Sequence, residues 1–591
     1  MLTRFIFFDT LDQRLEIRKS HQCDEYRNKM SKITLYGGVG EIGGNKVLLE
    51  DNSSRILLDF GMSFKKVGYF LDEFLQFRTN TALSDLLKLS ILPEIHGIYR
   101  KDFIKPVGIE EALQQLPPDF AERYIPSVQS YQEYQEKNSK PYVQGIFVSH
   151  CHGDHVSHLA FLDPEIPIFC SSVTQVMLEA IQTVSKSGVQ QEVHDYKERM
   201  VSKNKSGAFP GSFRIISAAP SPRKFQILEP YAAVAVGNFR VTGIPVDHSV
   251  PGAMAFYVET SDGKRLLYTG DFRFHGRFAE HSANLREFVS KNQIDFLMSE
   301  GTRIEQSRQE QDDEARVGKE IAEVVQDTEK LVLVDFGWKD TTRYDTLREV
   351  ARKTRRTLVI SPKLAYLLEK LKRYNSDLFP GIPEDGSVRI YLERSGSLFY
   401  SPADYTLQKF KLGYDLDSEE TEEQGGTQTG GSKSSRQKSK MTEAYLSGNQ
   451  EYLKQMLPHY YGGVRAYDIA KRQSSYILHA GFFDINELLD ITPDPGSVFI
   501  KAAVMPFNDE MKIDQEKLEH WLDYFHFVKA EEKGYLYYKH TSGHACGEDL
   551  FDFIKLADPG ALIPIHTQEP RRFEDSGKET ILCQEGEAVP L

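Results

Sequence analysis

Apolar residues follow two rhythms along this chain. Up to about residue 270 they come in short runs bounded by Gly- and Asp-containing turns, the pattern of strands. It predicts strands at Ile33–Tyr36, Lys46–Glu50, Arg55–Asp59, Gly145–Val148, Ile166–Cys170, Tyr231–Val236, Arg240–Ile244, Ala253–Glu259 and Arg265–Thr269. Beyond Asp312 helical spacing alternates with strands: helix Asp312–Gln326, strand Leu331–Asp335, helix Arg343–Thr354, strand Thr357–Ile360 and helix Pro362–Tyr374. That alternation predicts a small parallel α/β domain. Residues 65–140, aromatic- and Pro-containing, read as an inserted helical excursion. Residues 415–442 are low-complexity, acidic and then basic, and read as a disordered surface loop. Residues 1–30 carry mixed charge without periodicity and read as a tail or a misassigned start; Met30 opens the folded part.

A chain of 591 residues exceeds one compact core and implies two or more domains. Its 40% hydrophobic and 27% charged content is that of a soluble globular protein. No apolar run reaches the length of a membrane span, and the N-terminus meets charge too early for a signal peptide. Five cysteines (Cys23, Cys151, Cys170, Cys546, Cys583) lack paired spacing, which fits reduced thiols and a cytoplasmic location. The net charge of −14 argues against a protein that coats nucleic acid, but leaves room for a local positive channel and for bound cations.

Chemistry concentrates at residues 147–155, F-V-S-H-C-H-G-D-H. Imidazole and carboxylate are zinc-ligating groups. The H-x-H-x-D-H spacing is too short for a helix face, so it is expected on a loop, with His150 and His152 aimed at one ion and Asp154 and His155 at a second. Cys151 is expected to point away. Asp59, His248 and Asp271 each end or follow a strand. Singly, each is more often a turn residue than a ligand; jointly, they are ordered as a two-metal site requires. The glycine-rich loop Gly37–Gly44 lacks the Lys-Ser/Thr ending of a P-loop and reads as tight turns.

With these motifs the chain resembles the metallo-β-lactamase superfamily. The implied fold is α/β (α+β), an αββα sandwich with metals at one edge of the sheets. His275 and His281 follow Asp271 too closely to serve as the last ligand, which the resemblance places at His566 in A-L-I-P-I-H-T-Q. The long gap before it, with S-E-G-T around Glu300 and K-H-T-S-G-H-A from Lys539, resembles the β-CASP subgroup, in which an α/β cap domain interrupts the core. G-G-V-G-E-I-G-G-N and H-T-S-G-H-A narrow the resemblance to ribonuclease J-like members. Expected divisions are a tail (1–30), a first core segment (31–307), the β-CASP cap (308–515) and a second core segment (516–591).

The resemblance implies two zinc ions, with manganese or magnesium as alternatives. His150, His152 and His248 would hold the first, Asp154, His155 and His566 the second, and Asp271 would bridge. Asp59 would orient ligands from behind. Hydroxide activated by both ions would attack a phosphodiester. His544 would bind a non-bridging oxygen or protonate the leaving oxygen, with Glu300 keeping it charged. His540, Ser542 and the backbone of Gly543 would cradle the phosphate. His566, where DNA-specific members tend to carry valine, points to RNA rather than DNA as partner. Exonuclease or endonuclease action stays open.

The chain runs only 25 residues past His566, too short for the C-terminal domain that supports assembly in many ribonucleases J, so a homo-oligomer stays an open alternative. The basic runs Arg352–Arg356 and Lys370–Arg373 read as solvated helix faces. Two rival functions remain: a small-molecule ester, thioester or lactone hydrolase of the same fold, and a non-catalytic RNA-binding scaffold.

Overall fold

The structure, a computed structural model, describes residues 31–72, 74–114, 117, 119, 125–185, 188–203, 213–308, 313–394, 462–506, 509–529 and 536–591. The expected tail (1–30) and low-complexity loop (415–442) lie outside them.

Among the described residues, three seven-stranded sheets organise the chain. The first runs in the order Phe225–Ile227, Ile168–Cys170, Gly145–Phe147, Ser54–Phe60, Lys46–Asp51, Lys32–Gly37, Ala588–Pro590. The second runs Ala233–Val236, Phe239–Pro245, Met254–Glu259, Arg265–Tyr268, Phe296–Ser299, Ala561–Pro564, Glu579–Thr580. Alternation of side chains packs these two face to face. Ile33, Leu35, Val47, Leu49, Ile56 and Leu58 meet Val241, Phe256, Val258, Leu266 and Met298 in one core. The intervening Leu48 and Leu57 point to the outer face, where Leu83, Leu86 and Ile98 of the 65–140 insertion cover them. On the far side, helices Ala279–Lys291 and Gly547–Ala557 bury Leu285, Val289, Phe553 and Ile554 against Leu267, Leu297 and Leu562. The result is the αββα sandwich expected from the motifs.

The third sheet is wholly parallel: Val464–Arg465, Val388–Leu392, Thr357–Ile360, Tyr476–His479, Val332–Asp335, Val498–Lys501, Leu536–Tyr538. Helices cover both faces, as parallel sheets require. Val332, Val334, Leu358 and Ile360 face Val317, Leu347 and Leu367; Leu333, Val359 and Leu478 face Ile469, Leu488 and Leu518. Strand Leu536–Tyr538 joins this sheet although it lies beyond residue 515, the expected end of the cap. Proximity in space, not chain order, assigns it.

The third sheet interrupts the second. The chain leaves Phe296–Ser299, builds the parallel sheet, and returns as Ala561–Pro564 in parallel register beside the strand it left, Ser299 opposite Pro564. The strand Phe296–Ser299 is absent from those expected above, although D-F-L-M-S announces it. The hairpin of Arg199–Lys203 with Phe213–Ser217 gave little apolar signal and was likewise not expected. Helix Ser172–Val184 packs on helix Pro362–Tyr374, where Lys370 Nζ meets Glu179 Oε1 at 2.6 Å. That lysine belongs to one of the runs read as a solvated face. Arg356, from the other, is buried and donates to the carbonyls of Lys330 and Val325.

Candidate metal centre

In parallel sheets, loops at the carboxyl ends of the strands gather at one edge. Here both sheets of the sandwich bring such ends together. Strands Ser54–Phe60 and Gly145–Phe147 run parallel in the first sheet. Arg265–Tyr268, Phe296–Ser299 and Ala561–Pro564 are consecutive and parallel in the second. Asp59 and the His150–His155 segment therefore come from one sheet, and Asp271, Glu300 and His566 from the other. His248 follows strand Phe239–Pro245.

The H-x-H-x-D-H segment is not wholly a loop. Gly153–Val156 forms one helical turn with His152 at its N-cap, which puts Asp154 and His155 on the helix and leaves His150 and His152 before it. Gly61 makes this fit: a Cβ there would lie 1.6 Å from the Asp154 carbonyl oxygen. Cys151 is buried among apolar residues and takes no part.

Seven expected ligands converge as two groups that share Asp271. His150, His152, His248 and Asp271 form one; Asp154, His155, Asp271 and His566 form the other. In the first, His152 Nδ1 lies 3.0 Å from His150 Nε2 and 3.1 Å from His248 Nε2. Asp271 Oδ2 lies 3.6 Å from His150 Nε2 and 3.9 Å from His248 Nε2. In the second, His155 Nε2 is 3.2 Å from Asp271 Oδ2, and His566 Nε2 is 3.2 Å from Asp154 Oδ2 and 3.6 Å from Asp271 Oδ1.

The ring nitrogens turned away from this centre are held by the chain. His155 Nδ1 contacts Asp59 Oδ2 at 2.8 Å, His248 Nδ1 contacts the Gly543 carbonyl at 2.7 Å, and His566 Nδ1 contacts Thr302 Oγ1 at 2.9 Å. His150 Nδ1 lies 3.1 Å from Ser149 Oγ. Such partners fix ring orientation and leave the other nitrogen free to ligate.

The electrostatics favour cations. Burial, reinforced by neighbouring imidazoles, pushes His150 and His152 well below the ordinary imidazole range; burial takes His248 to about 4. Burial also opposes charge on His155, but Asp271, Asp59 and Asp154 outweigh it and hold that ring well above its usual value. Burial likewise works against charge on Asp154 and Asp271, yet His155 and His566 hold both below the carboxylate range. Among the described ion pairs these two carboxylates meet only imidazoles, never lysine or arginine.

The residues fit metal ions. Two imidazole nitrogens on one tetrahedral zinc lie roughly 3.3 Å apart, close to the spacing of the histidine trio. His155 Nε2 and Asp271 Oδ1 are buried atoms without a hydrogen-bond partner, and both face the second group. A cation between them would satisfy both and displace the proton His155 otherwise carries.

Asp271, Glu300, His544 and His566 form a third grouping of ligand-type atoms. It reads better as an acid pair, because His544 Nδ1 sits 3.0 Å from each oxygen of Glu300. Against the cost of burial, Glu300 raises His544 to about 9 and is itself held low by it. The ring of His544 meets that of His248 edge-on and stacks on that of His566, centroids 5.3 and 5.6 Å away. Upstream, His540 Nδ1 faces the Ala502 carbonyl at 3.3 Å, and Ser542 Oγ accepts from the His544 backbone N–H. Burial lowers His540 to about 4. The Gly543 carbonyl is engaged by His248, and a Cβ on Gly543 would approach that ring to 2.9 Å.

Several residues of the site escaped sequence reasoning. Tyr268 and Ser149 donate to Asp59; Thr302 braces His566; Arg273, fully buried and paired with Asp247, donates to the carbonyls of Ser542 and His248. Each adjoins a motif residue in sequence, but nothing in its spacing marks it.

The family described as "Beta-lactamase superfamily domain" matches residues 120–334, which include His150–His155, His248, Asp271 and Glu300. That segment thus matches a β-lactamase superfamily domain, and parts of the chain are similar to proteins named Ribonuclease J. The chain is 23% identical to the Ribonuclease J of Helicobacter pylori (strain ATCC 700392 / 26695) over 265 residues, 44% of this chain and 26% of that protein. It is 20% identical to the Ribonuclease J of Mycoplasma genitalium over 351 residues, 59% of this chain and 46% of that protein. The similarity thus spans about a quarter to a half of those relatives. A crystal structure of a protein of unknown function from Enterococcus faecalis V583 shares the fold, with TM-score 0.60, 19% identity, and coverage of 95% of this chain and 100% of that one. Among the described residues, no helix is long and apolar enough to cross a membrane.

Proposed function

We propose that this chain is a metal-dependent ribonuclease that hydrolyses RNA phosphodiester bonds. One observation carries the reading: two ligand groups sharing Asp271, whose carboxylates meet only imidazoles among the described ion pairs, stand beside a His544–Glu300 acid pair. The low-identity likeness to proteins named Ribonuclease J supports RNA as the polymer.

In this proposal His150, His152 and His248 would hold one ion and Asp154, His155 and His566 the other, with Asp271 common to both groups. The imidazole-rich first group suits zinc; the second, with two carboxylates, also suits manganese or magnesium. Bound there, the ions would supply Lewis acidity at a phosphoryl oxygen and a water of lowered pKa. The chain does the rest. Glu300 keeps His544 protonated at neutral pH, so His544 can donate to a non-bridging oxygen or to the leaving oxygen. His540 and Ser542 flank the phosphate. The Gly543 carbonyl orients His248, which ties the substrate loop to the ligand set. We read the parallel third sheet as the β-CASP cap that closes over this edge.

RNA labelled at either end, carrying 5′-monophosphate or 5′-triphosphate, and a matched DNA would test the proposal. Metal-loaded protein is expected to cleave the RNA, with cleavage lost in Asp154→Ala and His544→Ala. The labelled end would give the direction of attack. No cleavage of either polymer by the loaded protein would overturn the assignment.

A further inference from the structure

The ligands of the second group come from different sheets, so something must set the distance between them. His155 belongs to the first sheet and Asp271 to the second, yet their ligating atoms lie 3.2 Å apart. His155 is oriented by Asp59, whose carboxylate takes three of its bonds from the first sheet's own residues: Ser149 N at 2.7 Å, Ser149 Oγ at 2.7 Å and His155 Nδ1 at 2.8 Å. The fourth comes across the sandwich. Tyr268 OH, on the strand that leads into Asp271, donates to Asp59 Oδ2 at 2.7 Å.

The direction of that bond is set by a third residue. Asn45 Nδ2 donates to the Tyr268 oxygen at 2.8 Å, which leaves the phenolic proton to point at Asp59. Asp59 itself sits at a bulge with φ +53, a conformation its neighbours must hold in place. Tyr268 is fully buried and out of reach of any substrate. Gly270, two residues on, approaches Ser149 so closely that a Cβ would lie 2.8 Å from the Ser149 Cβ, so the two turns are packed in register.

We propose that Tyr268 is a positioning residue that fixes the spacing between His155 and Asp271 and thereby the affinity of the ion held by Asp154, His155, Asp271 and His566. The proposal rests on the metal-centre reading and is independent of which substrate is cleaved.

The test is Tyr268→Phe, which keeps the ring and removes only the hydroxyl. Metal-free protein is titrated with zinc in competition with a chromophoric chelator, and its melting is followed by circular dichroism. One of two equivalents is expected to weaken about 10- to 100-fold while the other changes less than about twofold. Tyr257→Phe, whose hydroxyl bonds the Gln293 carbonyl instead, is expected to alter neither. Equal weakening of both equivalents, or of neither, would overturn the proposal. Should Tyr268→Phe not fold, Asn45→Ala reads the same relay: selective weakening supports it and unchanged affinities refute it. Failure of the wild type to take up two equivalents would refute the metal centre itself, whereas failure to cleave RNA would leave this titration unaffected.

Discussion

The second and third sheets each carry a carboxylate at the carboxyl end of a parallel strand, and the chain treats the two in opposite ways. Asp335 ends strand Val332–Asp335 and is met by the ammonium of Lys501 on the adjacent strand. His479, at the end of its own strand, stacks on Phe336 and places Nε2 3.0 Å from that residue's carbonyl. Asp271 faces His150, His155, His248 and His566, and one of its buried oxygens has no hydrogen-bond partner. In the third sheet the chain supplies the counter-charge for its own carboxylate. Around Asp271 the described ion pairs involve only imidazoles, and an external cation would stabilise what is otherwise a costly buried cluster.

Substitutions at the two ends should therefore behave differently. The largest effect is expected from Asp271→Asn, which removes the carboxylate common to both groups. RNA cleavage should fall on the order of 10³-fold or more, with reduced metal content by elemental analysis. Retained metal and activity would mean that the sharing inferred for Asp271 is wrong.

His544→Ala comes next, at about 10²- to 10⁴-fold in kcat, with bound metal unchanged. Parallel loss of metal would move His544 from the acid pair into the ligand set.

The pH dependence sharpens this point. Glu300 raises His544 to about 9 in the folded chain, above the ordinary 6.5. The stabilisation is therefore full below about 6.5 and is lost as pH rises through about 9. Cleavage that needs the protonated ring should share the alkaline limit near 9. In Glu300→Gln that limit should shift down toward 6.5 or lower, since burial alone depresses the ring; an unmoved limb would separate His544 from the rate.

His540→Ala, farther from the ligands, is expected to raise KM about tenfold while kcat changes little, as uniform binding loss would. The smallest effect on activity belongs to the third sheet. Lys501→Met strips Asp335 of its partner and should cost about 1–3 kcal/mol in denaturant unfolding, with cleavage per folded molecule unchanged. A large fall in kcat instead would tie the edge of the third sheet to the chemistry.

The ligands were legible in the sequence because each belongs to a short local pattern. A strand is announced by its apolar run, and a polar residue of ligand type follows where the strand ends. Asp59, the His150–His155 segment, His248 and Asp271 all have that form, and the structure gathers them with His566, which the resemblance supplied. Glu300 and His544 were legible only through the resemblance, since S-E-G-T and S-G-H-A by themselves are ordinary turns. Two details were not legible. The helical turn at Gly153–Val156 forms because Met62 donates to the Gly153 carbonyl, while Asn45 donates to that of Asp154, both from segments distant in sequence. Strand Leu536–Tyr538 joins the third sheet because Val498–Lys501 leaves an edge beside it.

By itself, then, the sequence determined which residue types could bind metal, many of the segments that are strands or helices, and the presence of a small parallel domain, while the resemblance added that this domain interrupts the core. Those properties depend on spacing of a few residues and on side-chain chemistry. Tertiary structure alone decided which groups hold the ligands in place. Tyr268 reaches Asp59 across 209 residues, and Asn45 reaches Tyr268 across 223. Such bonds exist only once two sheets have packed and brought their strand ends to one edge, and no local pattern encodes that meeting.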